Sequence, residues 1–359
     1  MYFSKNFTFH LLNVEPCYPP HSVITFLITA YIVVIIGGLI GNTVLVLVIA
    51  HQKELQNVTN VLIANLACSD ILVCLICLPL TVAYTLMDHW AFGEVLCKTS
   101  PFLQCSTVSV SIFSLVLIAI ERHQLIIHPT GWKPSLAHAH WAIALIWLLA
   151  FLISLPYAVF QMLTNAPYEN LTLFFPDLID KVACVESWPS NTYKVACGTL
   201  MLLFQYCFPL LFIFLCYQRI FLRLKRRARL LPSSANGRGR ATHSKKINLM
   251  LVAIVAGFAI LWLPLYVFNA ISDWNHEVLL NCQNNLIFSL CHLTAMLSTC
   301  INPIFYGFLN NNFQKELRAT ISRCQCKRAE EDLENFPLST MNTDVSKGSV
   351  RFSLKTNVM

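Results

Sequence analysis

Seven stretches of this chain are each long and apolar enough to cross a lipid bilayer: Ile24–Ala50, Val61–Thr85, Phe102–Ile127, Trp141–Phe160, Val195–Leu224, Ile247–Ser272 and Leu286–Leu309. About 20 apolar residues span the hydrocarbon as a helix, the form in which a single segment satisfies its own backbone N–H and C=O groups. The composition agrees, with 56% of the 359 residues hydrophobic and 12% charged, where a soluble domain is about a quarter charged. The pattern predicts an all-α membrane protein, a seven-transmembrane helix bundle. An odd number of crossings puts the termini on opposite sides. Residues 1–20 have no basic start, apolar core segment or small-residue cleavage site, so the first helix is expected to be its own insertion signal.

Loop charge sets the orientation. Arg219–Lys246 holds ten Lys/Arg and no acid, and is expected to face the cytoplasm. The amino terminus is then extracellular. Of 25 basic residues, only Lys5, Lys98, Lys181 and Lys194 fall outside, against nine acids that include Glu186 and Asp273. A basic inner face fits topology and anionic membrane lipid. An outer face of about −5 favours a cationic ligand. Asn-x-Ser/Thr acceptors for glycosylation lie outside at Asn6 and Asn170, and a third, Asn57-Val-Thr59, lies inside, where it would go unused. The bounds expected are 1–23 for the outer segment, 24–309 for the bundle, 310–323 for a membrane-surface helix and 324–359 for the tail.

Most of the 15 cysteines lie within the apolar runs, where a thiol is a small apolar side chain. Cys74-x-x-Cys77 has redox or metal spacing, but lies at lipid depth without partner ligands, so no metal is expected there. Cys17, Cys97, Cys184 and Cys282 lie where oxidation can occur and allow three pairings. A Cys97–Cys184 bond would pin the long second outer loop over the bundle. Cys17–Cys282 would then tie the amino-terminal segment to the last outer loop. Cys324-x-Cys326, among basic residues past the seventh run, suits palmitoylation.

Ionisable groups at bilayer depth are costly and mark function. Asp70 is one, and Ser111, Ser298 and Asn302 supply oxygens on runs that could converge on it, around a proton or an allosteric Na+. Helix-interior prolines recur at Pro79, Pro156, Pro209, Pro264 and Pro303; each removes a backbone hydrogen bond and permits a kink. Kinks beside Trp262 and Asn302 would form hinges for a two-state bundle. At the cytoplasmic end of the third run, Glu121-Arg122-His123 places an acid beside a base. Glu121 can hold Arg122 against the bundle, and releasing it would open an inner crevice.

Gly41-Asn42, Leu66–Asp70 ("LACSD"), Glu121–His123, Trp147, Phe258–Pro264 ("FAILWLP") and Asn302–Tyr306 ("NPIFY") fall one per helix, in order. Together they resemble the rhodopsin-like family of G-protein-coupled receptors. Longer stretches, among them "YTLMDHWAFGEVLCK", "IERHQLIIHPTGWKP", "LFQYCFPL", "FNAISDW" and "CHLTAMLSTCINPIFYGFLNNNFQKEL", resemble the neuropeptide Y receptors within it. The resemblance implies a peptide ligand ending Arg-Tyr-NH2, of the neuropeptide Y, peptide YY or pancreatic polypeptide type. It implies that Asp273, assisted by Asn269, pairs with a ligand arginine, with Glu186 as a second partner. Gln104, Tyr84 and His292 would line the pocket for the terminal tyrosine amide, with Phe288 and Gln205 in its wall. At the inner face it implies an inhibitory Gi/o protein contacting Arg122, with Tyr217, Pro303 and Tyr306 in the activating machinery. A short amphipathic helix at Phe313–Ser322 would lie along the membrane, followed by a tail rich in Ser and Thr for a receptor kinase and arrestin. Localisation at the plasma membrane follows.

The family more often has Asp-Arg-Tyr where this chain has Glu-Arg-His, and Asn where it has Ser298. Gln104 stands where amine receptors carry an acid, and the seventh helix holds no lysine for a retinal Schiff base. The alternatives are a receptor for another amidated peptide, a receptor that binds without signalling, and a transporter. No internal repeat of the transporter kind is present. No His-Glu-x-x-His, Gly-x-Ser-x-Gly or phosphate loop points to an enzyme, and nucleic acid is not an expected partner.

Overall fold

A computed structural model describes residues 20–52, 55–87, 89–166, 180–230, 235–275, 284–310, 313–319 and 322. Seven helices are long and apolar enough to cross a membrane: α1 (His21–His51), α2 (Val58–Tyr84), α3 (Gly93–Ile127), α4 (Leu136–Val159), α5 (Asn191–Arg227), α6 (Lys245–Trp274) and α7 (Asn284–Gly307). Neighbours follow the order α1–α2–α3–α4 and α3–α5–α6–α7–α1, so that α3 packs against α2, α4 and α5. A short helix over 313–319 follows α7, with Phe313 buried edge-on against Tyr306.

Local sequence sets several starts. Asn57 caps α2 by accepting from the Asn60 backbone N–H, and Ser190 caps α5 by accepting from that of Tyr193. Ser135 and His138 form a reciprocal capping box on α4. α3 begins nine residues before its apolar run. Its first turns are polar, carrying an exposed Lys98–Glu94 pair at 2.5 Å, so hydropathy alone misses them and places Pro101 outside the helix. The backbone meets two of the expected prolines with a wider winding instead of a simple kink. π-helical turns at Val73–Cys77 and Leu203–Cys207 each end two residues before Pro79 and Pro209. An extra residue per turn makes room for a ring that cannot accept the ordinary i−4 carbonyl geometry. In α7 the winding is interrupted at Leu297, six residues before Pro303.

The outward faces of the bundle are apolar, and polar groups are buried among the apolar residues of its interior. Trp141 is 79% exposed, and Leu148, Leu152 and Leu155 on α4 are also exposed, whereas Asn42, Asn65, Ser69, Asp70, Ser114 and Asn302 are buried. These buried groups clasp helices to one another. Asn42 donates to the Thr299 carbonyl at 2.7 Å. Beside it Gly41 admits Pro303 so closely that a Cβ would lie 2.7 Å from the ring. Asn65 donates to Ser114 at 2.9 Å and accepts from Trp147 Nε1 at 2.9 Å, joining α2, α3 and α4.

A two-stranded antiparallel hairpin connects α4 to α5: β1 (Gln161–Thr164) and β2 (Ala183–Glu186), with Gln161 opposite Glu186 and Leu163 opposite Cys184. A Cys97–Cys184 disulfide ties β2 to the start of α3. Trp90 packs on that bond with Tyr84, Phe92, Leu96 and Leu163, and its backbone N–H donates to Val182. This end of the bundle is called the disulfide end below, and the other the Arg122 end. Asn6, Asn170, Cys17–Cys282, Cys324, Cys326 and the tail lie outside the described residues.

Candidate functional site

Below the hairpin, a chain of hydrogen bonds crosses the bundle from α1 to α3. Tyr31 contacts both the Ser289 carbonyl, at 3.1 Å, and His292 Nδ1, at 2.9 Å. A carbonyl only accepts, so the tyrosine donates to Ser289 and accepts from His292. His292 then carries its hydrogen on Nδ1, and its Nε2 accepts from the Gln104 amide at 2.8 Å. The imidazole is thereby held neutral in one tautomer. Phe288 stacks on the same ring at 5.8 Å, 26° from parallel. Four residues expected in the pocket are thus placed as follows: Gln104, His292 and Phe288 together, and Tyr84 in the Trp90 cluster, its hydroxyl 3.5 Å from the Cys184 carbonyl. Gln205 lies at the centre of the α5 π turn. It donates to Ser109 at 2.7 Å and accepts from Tyr266 at 3.3 Å, binding α5 to α3 and α6.

The mouth carries two acids. Asp273, near the end of α6, pairs with Lys194 of α5 at 3.0 Å. Its second oxygen lies against Gly198, one turn along α5, where any Cβ would overlap it. Glu186 on β2 accepts from Trp188 Nε1 at 2.8 Å. Both acids lie within electrostatic reach of Cys197 and Tyr157. Asn269 is exposed, one turn from Asp273 on α6.

Deeper, one cavity is lined by Gln104, Ser111, Trp262, Ser298, Asn302 and Asp70. Asn302 donates to Asp70 at 2.7 Å. Ser111 is bonded to Ser69 at 2.9 Å, and the Ser298 hydroxyl accepts from Trp262 Nε1 at 3.0 Å. The four oxygens expected around a cation therefore share a cavity, with Ser298 committed to the tryptophan. Among the described residues no group of three His, Cys, Asp or Glu converges as metal ligands, and Cys74 and Cys77 are buried in the α2 wall.

At the opposite end, Arg122 pairs with Glu121 at 3.1 Å, as the sequence pattern leads one to expect. The structure adds a third member, Thr59 on α2, which accepts from Arg122 and donates to Glu121 at 2.7 Å. Tyr306 donates to Asn60 Oδ1 at 2.8 Å, fastening α7 to α2. Arg122, Tyr306, Asn57, Asn60 and Ile247 line a crevice there. Tyr217 is buried, its hydroxyl without a hydrogen-bond partner among the described residues.

Sequence reasoning missed Tyr31, Thr59, Asn60, Lys194, Gly198 and Tyr266. Tyr31 carried a signal, a hydroxyl within a run of aliphatic residues. Thr59 was visible only as the last residue of an unused glycosylation triplet.

The sequence profile of the 7 transmembrane receptor (rhodopsin family) matches residues 41–306. The chain is 51% identical over 343 residues to neuropeptide Y receptor type 4-2 of Homo sapiens, covering 96% of this chain and 91% of that one. It is 51% identical over 340 residues to neuropeptide Y receptor type 6 of Mus musculus, covering 94% and 92%. With neuropeptide Y receptor type 1 of Xenopus laevis it shares 50% identity over 348 residues, covering 97% and 94%.

Proposed function

Because the chain belongs to the rhodopsin family of seven-transmembrane receptors, and within it to the neuropeptide Y receptors, we propose that it binds C-terminally amidated peptides of the neuropeptide Y, peptide YY and pancreatic polypeptide type and lowers cAMP through inhibitory Gi/o proteins. It is a G-protein-coupled receptor, not an enzyme. The disulfide end faces the outside of the plasma membrane and the Arg122 end faces the cytoplasm.

The observation that carries the ligand reading is the order of charge down the bundle from the disulfide end. Two acids, Asp273 and Glu186, stand at the mouth, and a neutral, directed polar set, Gln104, His292 and Tyr31, stands below. An arginine pairs with a mouth acid by a charge-assisted bond. A primary amide meets the Gln104 amide, which offers both a donor and an acceptor. The cavity wall from Gln104 to Asp70 includes no Lys or Arg, so a free carboxylate in its place would be buried uncompensated.

Signalling is a population shift. Peptide favours a bundle in which Arg122 leaves Glu121 and Thr59, Tyr306 leaves Asn60, and the crevice widens to admit a G protein. Trp262, Asn302 and Pro303 are the parts of α6 and α7 that rearrange between the two ends, with Tyr217 turning toward the crevice. Asp70, Ser111, Ser298 and Asn302 would hold a sodium ion, whose charge would favour the closed form. Glycans at Asn6 and Asn170, palmitate on Cys324 and Cys326, and arrestin and receptor kinase at the tail complete the assignment.

The test is cAMP in forskolin-treated cells expressing this chain, across doses of the three peptides. A peptide-dependent fall that pertussis toxin abolishes is the expected result. Surface protein that binds none of the three would overturn the ligand reading; binding with flat cAMP would overturn the Gi/o reading alone.

A further inference from the structure

The pairing of Lys194 with Asp273 has no place in the peptide-binding scheme above. Lys194 is a cation 5% exposed at an otherwise acidic mouth, and its partner is the carboxylate assigned to the ligand. Both carboxylate oxygens are covered from the α5 side. Lys194 Nζ lies 3.0 Å from Oδ1, and Oδ2 rests against Gly198. Lys194 and Gly198 are four residues apart, hence on one face of α5.

A guanidinium binds a carboxylate best through both oxygens at once, in a planar fork. Asp273 as it stands offers no such edge. To accept a ligand arginine in that fork, the carboxylate must turn off α5 and give up its lysine. An ammonium is a compact point charge that holds one oxygen, and is therefore the weaker of the two competitors for a bidentate site.

We propose that Lys194 is an internal counter-ion that occupies on Asp273 the place of a ligand guanidinium, so that peptide binding exchanges one cation for another and loosens the contact between the outer ends of α5 and α6. This rests on the reading of Asp273 as the partner of a ligand arginine. Lys194 then determines specificity without touching the ligand in the final complex. It sets the threshold that a competing cation must exceed, and it keeps the α5–α6 contact shut in the absence of peptide.

The test measures the affinity of peptides ending Arg-Tyr-NH2 and citrulline-Tyr-NH2 on intact receptor and four variants. Citrulline keeps the shape of arginine and removes its charge. Lys194→Gln is expected to raise affinity for the arginine peptide about three- to tenfold and leave the citrulline peptide unchanged. Lys194→Arg, which keeps the charge but grips the carboxylate with a fork of its own, is expected to lower affinity for the arginine peptide. In an Asp273→Asn background the substitution Lys194→Gln should lose its effect. Equal loss for both peptides on Lys194→Gln would make Lys194 a structural strut and overturn the proposal. Equal affinity on Lys194→Arg and the parent receptor would reduce Lys194 to a diffuse positive charge and overturn the exchange. If Lys194→Gln fails to reach the surface, the Lys194→Arg comparison decides. Should citrulline cost nothing on the parent receptor, the assignment of Asp273 itself fails, an outcome separate from the others.

Discussion

Thr59 and Glu121 are joined across 2.7 Å by a hydroxyl-to-carboxylate bond, and the same hydroxyl accepts from Arg122. The three side chains close a ring between α2 and α3, with the carboxylate buried. Arg122 is thus held by two acceptors, one of them outside its own helix, and both contacts must break before it can leave the ring.

Thr59→Val keeps the shape of this side chain and removes both hydrogen bonds. Each bond contributes about 0.5–1.5 kcal/mol net, so losing both, about 1–3 kcal/mol, should move the equilibrium toward the open form by about five- to 150-fold. Raised guanine-nucleotide exchange without peptide is the readout. Basal exchange equal to that of the parent receptor would show that the ring does not restrain Arg122.

At the mouth, Asp273→Ala removes a charge-assisted partner worth about 1.5–3 kcal/mol. Peptide affinity should fall at least about tenfold, with no further loss when the ligand arginine is changed to citrulline. Additive losses in the two changes would point to separate partners.

Tyr31→Phe tests the directed chain of hydrogen bonds. Without the tyrosine oxygen, His292 Nδ1 loses its acceptor, and the tautomer that receives Gln104 is no longer favoured. A loss of about three- to tenfold in affinity for the amidated peptide is expected, with the preference over the free-acid peptide narrowed. Affinity that falls equally for amide and acid would mean that Tyr31 only shapes the cavity.

Trp147→Phe removes the indole bond to Asn65 and leaves most of the packing. Thermal unfolding of purified receptor should show a loss of about 1 kcal/mol, with peptide affinity within twofold of the parent. A large change in affinity would connect this clasp to the ligand cavity.

What the chain disclosed in advance follows from the physics of its solvent. Lipid demands unbroken apolar helices, so all seven were readable, and the cost of burying charge made Asp70 and Arg122 stand out. The start of α3 was hidden because Gly93–Ser100 extends beyond the apolar run, with Glu94 and Lys98 at its surface. The hairpin was hidden because four-residue strands carry too little periodicity to show within a polar loop. Proline marks a lost backbone bond but not how the helix recovers, so the π turns before Pro79 and Pro209 were not foreseen. Lys194 read as one of four stray outer cations, since its meaning depends on the pairing of α5 with α6. Gly198 carried no local signal at all.

The π turn in α5 has a rotational consequence. In an unbroken α-helix Lys194 and Tyr217, 23 positions apart in the sequence, would project about 140° from one another. One residue taken up by the wide turn at Leu203–Cys207 cuts that to about 40°. Both side chains are buried, one near each end of a single helix. The offset lets one rod show the same side near Asp273 at one end and toward the Arg122 end at the other. Winding Leu203–Cys207 as an ordinary α turn, with no residue removed, would return the offset to about 140° and swing Tyr217 off the side it shares with Lys194, whereas deleting one residue there would keep the offset near about 40°.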